Sequence, residues 1–151
     1  MSRAPRGLTW ALVLAYYGFI WWLSSHEGRS GERAFLWIYL FNGGHAVLFG
    51  LMAFLLAWCV PETVGRRTGR RAALSVVAAA GVLGIIDEIH QSTSPGRDAS
   101  VLDFCTDLSG ALFVIFLLRS IQFGVPSDRR LCMIGLMGGF LFPLIESRDA
   151  F

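Results

Sequence analysis

Lysine is absent from the 151 residues, so all 13 basic residues are arginine. We ascribe that to genome composition rather than mechanism, and it leaves arginine alone to decide how the chain is oriented. Charge is also missing from the middle of the first four long apolar runs. A transporter places ionisable groups near the midplane of its spans, so transport is disfavoured. The three cysteines, Cys59, Cys105 and Cys132, have neither metal-ligand nor redox spacing and read as small buried apolar residues. There is no HExxH, nucleophile elbow or phosphatase signature, no phosphate-cradling loop and no dinucleotide fingerprint. Nothing in the chain points to nucleic acid.

What is present is apolar surface. A hydrophobic fraction of 54% and a positive mean hydropathy exceed what a soluble domain carries. The expected fold is all-α: a polytopic membrane helix bundle with four to five transmembrane helices, forming a single domain over 1–151. Spans are expected at about 7–23, 42–60, 72–89 and 101–118, with a short fifth at 131–145. The first is read as an anchor rather than a cleaved signal, because it is long, ends in Tyr and Trp residues and lacks a small-x-small site before Ser24. Asn42-Gly43-Gly44 predicts a helix boundary, with 34–41 as a separate aromatic piece lying at the interface. Gly81 and Gly84 predict a close approach of a neighbouring helix. The fifth segment is shorter than the roughly 20 residues a perpendicular span needs, contains Pro143 and follows a turn at Pro126-Ser127-Asp128.

The arginines divide unequally between the two sides. Arg3, Arg6, Arg66, Arg67, Arg70, Arg71, Arg119, Arg129 and Arg130 fall on one set of flanks, and Arg29, Arg33, Arg97 and Arg148 on the other. Basic flanks stay in the cytoplasm. The expected orientation has a cytoplasmic N-terminus, with the polar stretch that starts at Asp87 on the outer side.

That stretch runs from Asp87 to Gly110 between two apolar segments. Helical spacing puts Asp87 beside His90 and Gln91 with Glu88 pointing elsewhere, and it puts Asp103 and Asp107 on one face of the next helix. Pro95-Gly96 marks the turn between them. Charged groups this close to apolar helices are costly unless paired, hydrated or bound, and mark a functional site by default. The same orientation brings Ser24, Ser25, His26, Asn42 and His45 to that end of the bundle. Arg97 is placed to bridge to Asp87 or Asp103 as a bidentate clamp.

Asp87-Glu88, Gln91, Pro95-Gly96-Arg97, Ser100, Asp103 and Gly110 resemble, in order and spacing, the VanZ-like family of bacterial membrane proteins, whose first-known members are associated with teicoplanin resistance. Ser24-Ser25 and His45 look like further marks of that family. The chain departs from its pattern at Asn42, where Lys is common, at Phe49, where Tyr is common, at Asp107, where many members have Asn, and at Val114, where Gly is frequent. The resemblance implies a multi-pass protein of the bacterial cytoplasmic membrane with a role in the cell envelope, and supplies no reaction.

Three readings of the polar cluster follow. The first is a structural network in which Asp87, Glu88, His45 and Arg97 fix the helix ends while Asp103 favours the N-terminus of its helix. The second is a binding surface, formed by His45, Asp87, Glu88, Gln91, Arg97, Asp103 and Asp107, for lipid-linked or cell-wall glycan material. The third is a membrane enzyme, a hydrolase or transferase acting on a lipid-linked substrate, with Asp87, Glu88 and His45 (or His90) in acid–base roles. Four carboxylates near one arginine leave excess negative charge, which a cation or a proton must meet. His45, Asp87, Asp103 and Asp107 are the expected ligands of a divalent metal.

Overall fold

The computed structural model describes residues 6–25, 35–59, 69–95 and 99–149. They fold into five helices, α1 (Arg6–Ser24), α2 (Phe35–Cys59), α3 (Arg70–Gln91), α4 (Val101–Phe123) and α5 (Pro126–Asp149). No strand occurs among the described residues, and the all-α expectation holds. Four of these helices, α1 to α4, are long and apolar enough to cross a membrane. Their outward faces carry large apolar side chains such as Val47, 72% exposed, and Val101, 78% exposed. A water-soluble surface rarely carries that much apolar area, whereas hydrocarbon covers it at no cost.

Two expected boundaries are corrected. α2 passes through Asn42-Gly43-Gly44 without a break. Beyond Asn42 and His45 the helix is apolar on both sides of the glycines, and in hydrocarbon each broken backbone hydrogen bond costs several kcal/mol, more than the ~1 kcal/mol that a helical glycine gives up. A Cβ at Gly43 or Gly44 would meet no atom of the described residues within 4 Å, so neither glycine serves a close contact among them. The second correction concerns Pro126-Ser127-Asp128, which forms the first turn of α5 rather than a turn ahead of it. α4 instead ends at Gly124, whose φ of 65° is left-handed and whose N–H donates to the Ser120 carbonyl at 2.9 Å. Proline suits a first helical turn because no partner is needed there for the N–H it lacks. Only Gly124 and Val125 separate the two helices, so α5 folds back along α4. The buried pair Arg119 Nη2 to Asp128 Oδ2, 3.0 Å, pins the hairpin at this end.

α2, α4 and α5 meet at backbone distance. A Cβ on Gly110 would overlap the Ala46 backbone, one on Gly135 the Phe113 and Ser109 backbone, and one on Gly138 the Ser109 side chain. Small residues at such crossings let van der Waals attraction drive association where no hydrophobic effect operates between helices. Gly84, one of the two glycines expected to admit a neighbour, lies against Asp107 of α4. α1 is joined more lightly, through Tyr16 O–H to the Leu48 carbonyl, 3.1 Å, and Tyr17 O–H to the Leu83 carbonyl, 3.2 Å. The apolar core, including Ile20, Phe49, Met52, Val76, Ile115 and Phe116, fills the space between these contacts.

Candidate functional site

The last turns of α1, α3 and α5 and the opening turns of α4 lie at one end of the bundle, and α2 passes beside them. Local sequence decides where α4 starts. Ser100, in extended conformation, accepts from the Asp103 N–H at 3.2 Å and caps the helix. Its own N–H donates to Glu88 Oε2 at 2.7 Å, and its hydroxyl donates to Glu146 Oε1 at 2.6 Å. One serine therefore ties α3, α4 and α5 together.

Asp87 and Glu88 are both buried, and they face different neighbours. Asp87 turns toward α1 and accepts at Oδ2 from Ser24 Oγ, 2.9 Å, and from Gln91 Nε2, 2.8 Å. Glu88 turns toward α2 and α4, where one ligand atom each from His45, Glu88 and Asp107 lie within 4.8 Å of one another. His45 Nδ1 is 3.1 Å from Asp107 Oδ1. Asp107 is fully buried, with Oδ2 close over Gly84. Asp103, one turn earlier on α4, is in hydrogen-bonding contact with the Glu146 carboxyl.

Five carboxyls thus gather at this end. Asp87 Oδ1, Glu88 Oε1 and Asp107 Oδ2 are buried without a hydrogen-bond partner among the described residues, while Asp103 Oδ1 and Glu146 Oε2 are buried with no donor beyond a proton shared between those two carboxyls. Each buried oxygen left open costs ~1–3 kcal/mol or more, a cost that Asp128 Oδ1 also carries at the far end. These oxygens are what the arrangement offers to donors or to a cation.

Of the residues expected at the site, His45, Asp87, Glu88, Gln91, Asp103 and Asp107 are brought together. Arg97, the expected clamp, lies outside the described residues, as does His26. Of the expected metal ligands, His45 and Asp107 fall in the close trio, with Glu88 as its third member; Asp87 is engaged by Ser24 and Gln91 instead. His90 sits at the rim, stacked on Trp21 with ring centroids 3.7 Å apart, and its Nε2 is 2.8 Å from Ser25 Oγ. The Ser25 hydroxyl also contacts the Trp21 carbonyl at 2.7 Å, and both contacts are met together when the imidazole Nε2 carries the proton. Glu146 was not anticipated. Its one signal was a lone acid directly after an apolar run, at a point where the fifth segment was expected to have ended.

A family model described as VanZ/LLP1 matches residues 8–122, a range that takes in nearly all of α1 to α4. No curated protein and no solved structure matches the chain.

Proposed function

The chain belongs to the VanZ/LLP1 family, and on that footing we propose that this VanZ-like membrane protein binds lipid-linked or cell-wall material at the outer face of the bacterial cytoplasmic membrane and thereby alters the response to glycopeptides such as teicoplanin. The observation that carries this reading is the gathering of five carboxyls, of which Asp87, Glu88 and Asp107 each keep a buried oxygen that no described residue satisfies. Wall precursors are rich in hydroxyls, amides and amino groups, which are the donors such acceptors require. The arginine split supports the outer location, because Arg70, Arg71, Arg129 and Arg130 flank the opposite end of the bundle. Helix-end polar groups beneath the headgroups meet a membrane-anchored ligand at its own depth, without drawing charge to the bilayer centre.

The test is a teicoplanin susceptibility assay on cells carrying empty vector, the wild type or Asp87→Asn at matched membrane abundance. The wild type should shift the inhibitory concentration, and the variant should return it to the vector value. No shift with the wild type, or an undiminished shift with the variant, would count against the proposal.

A further inference from the structure

The trio of His45, Glu88 and Asp107 is more specific than an acidic patch. We propose that these three side chains, drawn from α2, α3 and α4, form a binding site for a divalent metal ion of the hard-to-borderline class, such as Mn²⁺ or Zn²⁺. The site would exist whether or not the envelope reading above is correct.

Geometry comes first. Two donors bonded to one ion at about 2.1 Å stand ~3.0 Å apart at a right angle and ~3.4 Å apart at a tetrahedral one. The 3.1 Å between His45 Nδ1 and Asp107 Oδ1 falls inside that interval, and one ligand atom from each of His45, Glu88 and Asp107 lies within 4.8 Å of the other two. An ion entering between Nδ1 and Oδ1 takes the place of the proton of that hydrogen bond, which leaves to solvent from an imidazolium or moves to Nε2 from a neutral imidazole, so that a neutral imidazole and a carboxylate remain as ligands.

Burial is the second observation. Asp107 is 0% exposed and Glu88 7% exposed, yet Asp107 Oδ2 and Glu88 Oε1 have no hydrogen-bond partner among the described residues. Glu88 is also held from behind, since Ser100 N–H donates to its other oxygen, as an outer partner does for a ligating carboxylate. The donor set of one imidazole and two carboxylates selects against thiolate-preferring ions and suits Mn²⁺ and Zn²⁺. Three protein ligands leave positions open to an oxygen donor from outside the protein.

The experiment uses the full chain, purified in detergent, stripped with chelator and titrated with MnCl₂ under electron paramagnetic resonance, with Zn²⁺ as competitor. The expected result is one Mn²⁺ per chain with a Kd below ~100 µM, a pulsed-EPR coupling from a single ¹⁴N, and displacement by Zn²⁺. His45→Ala should remove the nitrogen coupling, and Glu88→Gln should weaken binding by about tenfold or more. Absence of binding by the folded wild type overturns the proposal. So does Mn²⁺ bound without nitrogen coupling, which is the mark of adventitious attraction to the acidic cluster. Because the wild-type spectrum alone decides between these outcomes, a variant that fails to fold does not rescue the idea.

Discussion

Glu88 shows how one side chain is both anchored and left open. Its Oε2 accepts from the Ser100 N–H, and its Oε1 is buried without a partner. Glu88→Gln preserves shape and the anchoring acceptor, so thermal unfolding in detergent should change little while the shift in teicoplanin susceptibility expected under the proposed function disappears. Loss of both together would instead mark a scaffold residue, since breaking a buried charged interaction costs about 3–5 kcal/mol. Gly110 makes the opposite case. A methyl group there would overlap the Ala46 backbone, and Gly110→Ala should destabilise by about 1–3 kcal/mol or more, read as a lowered melting temperature and reduced abundance. Most of the acidic site was legible in sequence, because a carboxylate or imidazole inside an apolar run stands out against it. Helical spacing also showed that Asp87 sits beside Gln91 while Glu88 points elsewhere, but not which helices each of them meets. Asp87 and Glu88 are neighbours in sequence, and only the positions of α1 on one side and α2 and α4 on the other explain why both are buried.

At the scale of elements, sequence placed four helices and misjudged two junctions. The glycine pair in α2 looked like a boundary because helix propensity was weighed as in water; in an apolar environment the demand for internal hydrogen bonds overrides it. The start of α5 was hidden because Pro126-Ser127-Asp128 is equally good as a turn and as a first helical turn, and the deciding residue, Gly124, lies just before it. This is also why Glu146 escaped notice. Only a helix that begins at Pro126 and runs back along the full length of α4 delivers its last turn to Ser100. The left-handed Gly124 has open space around it, so Gly124→Ala tests conformation alone. It should cost roughly 1–2 kcal/mol in thermal unfolding, the penalty for an L-residue at that φ, without the steric damage of Gly110→Ala.

For the whole molecule, the orientation is the open expectation with the clearest test. In a background without the three native cysteines, Ser94→Cys, between α3 and α4, should react with an impermeant thiol reagent added to intact cells. Ser127→Cys, exposed at the opposite end, should react only after lysis. The reverse pattern would put the acidic end in the cytoplasm and sink the envelope proposal, while leaving the metal proposal standing. The glycine contacts described above have a mechanical consequence. Where backbones touch, sliding is blocked, so α2, α4 and α5 behave as one rigid frame carrying His45, Asp103, Asp107 and Glu146. α1 is fastened to α2 and α3 by hydroxyls, a stacked ring and the buried Val13 and Ile20, and α3 meets the frame through Gly81, Gly84, the Glu88–Ser100 bond and the buried Ala73, Val76, Val77 and Ala80. The lighter contacts therefore run through the acidic end itself, and a swing of α3 that changes the distance from Glu88 to His45 is passed by Ser100 to the cap of α4 and to Glu146.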